Sequence, residues 1–428
     1  MHITTIAYNI ALDLKKEREK EMKKVKLSIT LILVFAMLAA ITVGCGQQKT
    51  PVSSTKPETT PTATAKVEEP EVIKIGLVAP LTGTNKLVGQ YIMNGAKLAQ
   101  EEINAAGGIN GKQIELVPTD EVDNMQDSVN ATTKLISDGD ISAIIGSLYS
   151  QYCIAVMPSV ADAKIPYFAS GSSSGVSKQK NPYTWQIRPI DTFQGITLAN
   201  FAVNTLNMKK PAIMYSTQST FASLSEQVQI ALKDLGIEIT ESNLFGFPEE
   251  EINYAPYFAQ ILAGGYDGII ALSNQMPAAL IMQQAEIAGV DPKVIPTLGS
   301  TSFCSSVAIT NAGSASNGWY SVADWVPGGA NDRSAEFEAA YVAKYNAPSD
   351  LPAATFYDAM YVLKKASEIA GSTEREAINS GLAKIKALPA AISTASYFED
   401  HVFATALGIT QNVDEKPKMI DAVTFREP

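Results

Sequence analysis

Histidine is nearly absent. The 428-residue chain has two, His2 and His401. A Ser-His-Asp triad or a histidine-bound zinc would have to be built around His401 alone. Cysteine is almost as scarce. Cys45, Cys153 and Cys304 show no CxxC spacing, which removes zinc ribbons and thioredoxin-like redox motifs. There is no GxxxxGK loop and no GxGxxG turn. The 33 Lys and Arg are outnumbered by 44 Asp and Glu, for a net charge of −11. No basic block offers a footprint for phosphate backbones, so nucleic acid is excluded as a partner. No metal and no cofactor is expected.

What is present is an ordinary globular composition, 46% hydrophobic, on a chain long enough for two or three domains. It is preceded by an address. Lys23, Lys24 and Lys26 lead into an apolar run from Leu27 to Val43 that ends at Thr42-Val43-Gly44-Cys45. This is the charged, apolar and cleavage order of a secretory signal. The final four residues resemble a lipobox, with Thr42 in place of the usual Leu, and Cys45 as the expected site of lipidation. Residues 22–44 are therefore expected to be a lipoprotein signal. Residues 1–21 precede a complete signal and read as a start assigned too early. Residues 45–70 are rich in Thr, Pro, Ser and Glu and lack apolar periodicity, as a tether to a lipid anchor would.

From Val72 onward, short apolar runs alternate with helical periodicity. Strands are expected at Val72–Pro80, Ile114–Val117, Ile141–Gly146 and Ile165–Ala169. A second series is expected at Ala212–Tyr215, Ile237–Leu244, Gly268–Leu272 and Val294–Leu298. Two runs of strand and helix imply an α/β protein with two lobes built on parallel sheets. In such sheets a ligand lies beyond the carboxyl ends of the strands. That directs attention to the loops after Pro80, Gly146, Ala169, Tyr215, Leu272 and Leu298.

Some of these residues are more specific. Pro80-Leu81-Thr82-Gly83, Asn94 to Ala99 (NGAKLA) and Glu101 to Lys112 (EEINAAGGINGK) resemble the opening of type I solute-binding proteins. The branched-chain amino acid (Leu/Ile/Val) binding family of ABC importers is the group they match. Gly146 to Ser150, Arg188-Pro189 before Asp191 to Gly195, and Tyr357-Asp358-Ala359 extend the resemblance to about Ala370. It implies two Rossmann-like lobes joined by three hinge crossovers, near Ile190, Trp325 and Tyr397. One lobe would hold residues 71–190 plus about 326–396. The other would hold 191–325 plus about 397–428. The implied activity is capture of a small solute by hinge closure, with a membrane permease as partner. The protein would be a monomer outside the cytoplasm, held to the membrane by its lipid, with no enzymatic role.

The resemblance also implies site residues. Ser150 would offer a hydroxyl to a ligand carboxylate. Gly171, Ser172 and Ser173, in the Ser170 to Gly175 turn, would complete that pocket with backbone and hydroxyl groups. Asp191 would face an ammonium group. Phe221 and Gln275 would line the second lobe. Thr301 stands where branched-chain binders tend to carry an acid for the ammonium. That departure keeps open a short amide, urea or a carboxylate without an amine, as well as a sensory ligand-binding module. Gly171 to Gly175 formally spells GxSxG, but Lys178 to Pro182 (KQKNP) lacks the apolar helical stripe that a nucleophile elbow requires. Cys153 and Cys304 are expected as free thiols.

Overall fold

The computed structural model describes residues 71–424, apart from positions 148, 328, 330, 393, 398 and 405. The early start, the signal, Cys45 and the tether to residue 70 lie outside the described residues.

The first sheet contains β1 (Val72–Ala79), β2 (Gln113–Asp120), β3 (Ile141–Ile145), β4 (Tyr167–Ala169) and β5 (Thr184–Gln186). Their order is β2-β1-β3-β4-β5, and every pair is parallel. β1 is apolar almost throughout because both of its faces are covered. Ile75 and Leu77 enter one apolar core, and Val78 enters the core on the opposite face. Helices α1 (Lys86–Ala105), α2 (Met125–Ser137), α3 (Ser150–Asp162) and α4 (Ser174–Lys178) connect these strands.

The chain then enters a second sheet through α5 (Asp191–Asn200), whose Phe193 and Leu198 belong to the second lobe's core. That sheet contains β6 (Pro211–Ser216), β7 (Leu244–Phe247), β8 (Gly268–Leu272), β9 (Thr297–Gly299) and β10 (Tyr320–Ala323). Its helices are α6 (Ser219–Asp234), α7 (Ala255–Ala263), α8 (Gln275–Ile287) and α9 (Ser306–Ala312). Strand faces alternate here too. Ile213 and Ile270 point into one core, and Met214 and Ala271 into the other.

After β10 the chain returns to the first lobe. Trp325 packs edge-on against Phe337, with ring centroids 5.7 Å apart. Helices α10 (Asp332–Tyr345), α11 (Leu351–Ala370) and α12 (Arg375–Leu382) follow, then the short strands β11 (Leu388–Pro389), β12 (Thr394–Tyr397) and β13 (Phe403–Ala404). A third passage leads to β14 (Ala406–Val413) and β15 (Lys416–Thr424), which complete the second sheet in the order β15-β14-β10-β9-β8-β6-β7.

Three expectations need correction. The second sheet is not wholly parallel, because β14 and β15 join it antiparallel. The strand expected at Ile237–Leu244 begins only at Leu244. Thr240 and Asn243 form a capping box around a single 3-10 turn, and the Asn243 amide donates to the Pro211 carbonyl at 3.0 Å. That local polar turn outcompetes the ladder, and Ile237 and Ile239 pack against the core without pairing. The strand expected at Val294–Leu298 shrinks to Thr297–Gly299, and Val294 lies in a turn, 74% exposed.

The first lobe closes on a tight helix crossing. A Cβ on Gly95 of α1 would stand 2.0 Å from the Ala353 carbonyl oxygen of α11. Only glycine permits that approach. Gly95→Ala should lose at least about 2 kcal/mol of unfolding free energy, against under about 0.5 kcal/mol for the exposed neighbour Lys97→Ala. Urea titration of both variants checks this, and equal midpoints would refute the close crossing.

Candidate functional site

The carboxyl ends of both sheets face a common cavity, and its polar wall comes from the first lobe. Ser150 opens α3 and is 2% exposed. Its Oγ accepts from the Ser173 backbone N–H at 3.1 Å. Gly171 and Ser172 line the cavity beside it. A Cβ on Gly171 would lie 2.6 Å from the Ser150 Cα, so glycine is needed for the two loops to meet.

The opposite wall is largely apolar. Phe221 and Leu224 reach in from α6. Leu351, Pro352 and Phe356 come from the first turns of α11. Asn274, Gln275 and Thr301 follow β8 and β9. Loops after β3, β4, β6, β8 and β9 therefore all contribute, whereas the loop after β1 does not. The cavity volume is about 80 Å3, room for several waters or a small solute, not for an oligomer.

Two charged groups stand in this cavity. Arg188 follows β5 and donates through Nε to Asp324 Oδ2 at 2.7 Å, while Nη2 lies 2.5 Å from the same oxygen. Nη2 also reaches Thr301 Oγ1 at 3.5 Å. The Asp324 side chain is wholly buried, and desolvation raises its pKa against the opposing pull of Arg188. The second group is Asp350, the N-cap of α11. Its Oδ1 accepts from the Leu351 N–H at 2.6 Å. Its Oδ2 accepts from the Ser306 N–H of α9 at 2.9 Å, which joins the first lobe to the second. Burial pushes this carboxyl up to about 6, against the lowering effect of its backbone donors.

Ser150, Gly171, Ser172, Phe221, Gln275 and Thr301 line the one cavity; Ser173 and Asp191 do not. Ser173 Oγ donates to Ser223 Oγ at 3.2 Å, and Ser223 in turn donates to Asp191. Asp191 is 1% exposed and accepts from the Ser174 N–H at 2.9 Å. Its carboxylate is engaged by protein donors behind the wall. Among the described residues no imidazole accompanies Ser173, because the His401 ring stacks on Trp185 with centroids 3.7 Å apart. Cys153 and Cys304 are free and buried, and burial pushes their thiols up to about 11 and about 12.

Sequence reading had not singled out Arg188 or Asp350 as site residues. Ser349-Asp350-Leu351-Pro352 carried a signal, since a cap residue with Pro in the first turn marks a helix start. Two further groups have unsatisfied atoms at the cavity. Among the described residues, the buried Nε2 of Gln194 and Oγ1 of Thr220 have no hydrogen-bond partner.

Residues 72–417 match the profile of the periplasmic binding protein family, and the chain belongs to that family. It is 27% identical over 237 residues to the Leu/Ile/Val-binding protein homolog 7 of Brucella abortus, a match covering 53% of this chain and 58% of that relative. The chain thus spans little more than half the length of this curated relative. Among solved structures, the leucine binding protein LivK of Thermotoga maritima shares the fold with a TM-score of 0.76 at 23% identity, covering 82% of this chain and 99% of that one. LivJ of Streptococcus pneumoniae, in complex with isoleucine, aligns with a TM-score of 0.75 at 24% identity, over 83% and 100% of the two chains. A solute-binding protein from R. palustris in complex with benzoate aligns with a TM-score of 0.75 at 18% identity, over 82% and 96%.

Asp350 gives this site a pH signature. A carboxyl raised from 3.8 to about 6 on folding stabilises the protein fully below 3.8 and loses that contribution as pH rises through 6. Asp350→Asn removes the titration. The stability of the wild type relative to this variant should therefore fall by on the order of 3 kcal/mol between pH 3.5 and pH 7.5. Paired denaturation curves measure it, and a pH-independent difference would contradict the assignment.

Proposed function

We propose that the protein is the lipid-anchored, extracytoplasmic solute-binding component of an ABC importer. Its solute is a small amphiphilic carboxylate, with a branched-chain or other hydrophobic amino acid as the leading candidate. One observation carries this reading. A single small cavity combines a guanidinium and a serine-glycine wall with an apolar wall of Phe221, Leu224 and Phe356. The first suits a carboxylate and the second an aliphatic or aromatic side chain.

In this reading Ser150, Gly171 and Ser172 receive the carboxylate with Arg188 nearby. Phe221 and Phe356 cover the side chain, while Gln275 and Thr301 close the second wall. Asp350 faces the ammonium group, and Asp191 and Ser173 support the wall from behind. Residues 71–190 with about 326–396, and 191–325 with about 397–428, close over the solute as two lobes. Binding energy selects the closed form, which a membrane permease then recognises.

A second reading is a carboxylate without an amine. Thr301 supplies no charge, and the Rhodopseudomonas neighbours were solved with benzoates. Thermal unfolding, after any co-purified ligand has been removed by unfolding and refolding, separates the two. A solute at about 100 times its dissociation constant adds about 2.7 kcal/mol. Leucine, isoleucine or valine should raise the melting temperature where their 2-oxo analogues and benzoate do not, and Asp350→Asn should abolish that preference. Stabilisation by the 2-oxo acids or by benzoate instead would establish the second reading. No shift with any of them would remove both.

The anchor is tested separately. Growth with an alkyne-tagged fatty acid should label the wild-type protein and leave Cys45→Ala unlabelled. Equal labelling of the two would place the lipid elsewhere.

A further inference from the structure

Asp350 is placed so that movement of the lobes must change its surroundings. It caps α11 in the first lobe, where Oδ1 accepts from the Leu351 N–H at 2.6 Å. Oδ2 reaches the second lobe, accepting from the Ser306 N–H at 2.9 Å. Ser306 Oγ donates back to the Ser349 carbonyl at 3.3 Å. Asp350 is 4% exposed and lines the solute cavity. Parting the lobes breaks the Ser306 contact and admits water to the carboxylate. Closing them expels that water, and taking a carboxylate out of water disfavours its charged form. The closed form therefore binds a proton here more tightly than the open form does.

The neighbouring groups do not offset this. Glu338 of α10 accepts from the Ser349 N–H at 3.3 Å and adds a like charge beside Asp350. Tyr91 of α1, Tyr341 of α10 and Cys304 also face it, and burial pushes all three up to about 12, so they stay neutral. Of the cavity's charged groups, Arg188 is the cation, and its guanidinium is already paired with Asp324. Burial accordingly pushes Asp350 up to about 6. What differs from one solute to another is the charge brought in. An amino acid carries an ammonium group into the cavity, whereas its deaminated analogue carries only a carboxylate.

We propose, building on the reading of the cleft as an amino-acid site, that Asp350 is a proton-gated selector of solute class. Ionised, it favours α-amino acids. Protonated, it admits carboxylates that lack an amine. The solute's charge acts across the cavity, so no direct contact with Asp350 is required. Capture of a deaminated acid then takes a proton from solvent into the cleft, and capture of an amino acid does not.

Titration calorimetry tests this on the full chain, held in detergent and freed of co-purified ligand. The probes are leucine and 4-methyl-2-oxopentanoate, whose carboxyl groups stay ionised between pH 5.0 and pH 7.5. A carboxyl that rises from 3.8 to about 6 on closure should make the oxo acid bind at least about tenfold tighter at the lower pH. At pH 5.0, comparison of two buffers with different ionisation heats should show uptake of about one proton per oxo acid bound. Leucine should change by less than about twofold and take up none. Asp350→Asn should bind the oxo acid equally at both pH values. The buffer comparison needs only the wild type, so it decides the matter even where the variant does not fold. Oxo-acid binding that is absent at pH 5.0, or no tighter there than at pH 7.5, overturns the proposal, while leucine binding leaves the amino-acid reading in place. A pH dependence that survives in Asp350→Asn also overturns it and moves the proton to another group, such as Asp324 or Glu338. Absence of leucine binding at both pH values removes the amino-acid reading itself, and this proposal with it.

Discussion

The contact between Arg188 and Asp324 holds together what the rest of the cleft requires. The guanidinium follows the last strand of the first sheet, and the carboxylate follows the last parallel strand of the second. Two of the three passages between lobes are thereby joined by one ion pair. A buried carboxylate alone would be neutralised by desolvation, and a guanidinium alone would leave the cavity with an uncompensated charge. Together they form a compensated pair, with Arg188 bordering the cavity beside Thr301. The neighbouring serines and the Gly171 approach add neutral donors to the same wall.

Much of the fold could be read from the chain because its strands are buried on both faces. Gly268–Leu272 is a continuous apolar run, and Val72–Ala79 is one apart from Lys74. The loops around Ser150 and Gly171 were legible for a related reason. A parallel strand must end in a turn that opens a helix, and small polar residues mark those turns. Ile237 to Asn243 misled because β-branched residues there pack against a core without pairing, and periodicity cannot tell the two apart. The antiparallel β14 and β15 were missed because a two-stranded addition at a sheet edge carries no helix to announce it.

The site was harder to read than the fold where charge was concerned. Asp191 was implied as an ammonium partner by the family resemblance, and the chain alone gives no sign of the partners its carboxylate finds. Its hydrogen bonds to Ser174 and Ser223 come from residues 17 and 32 positions away. Asp350 had the opposite history. It looked like a helix cap and is one, yet the same carboxylate also reaches Ser306 in the other lobe and borders the cavity. Local roles were visible in the chain. Contacts formed only when the two lobes meet were not.

The fit between Gly95 and Ala353 has a consequence for how the molecule comes into being. The first lobe's opening helix is matched to a helix that begins at Leu351, with most of the second lobe, all but β14 and β15, encoded in between. A ribosome adding about 5–20 residues per second releases the first sheet well before its covering helix exists. For that interval the apolar face of Ile92, Leu98 and Ile103 has no native cover. The second lobe, nearly continuous in the chain, can form meanwhile. The nascent protein is therefore built from its middle outward, and the lobe that begins the chain is among the last parts to be sealed.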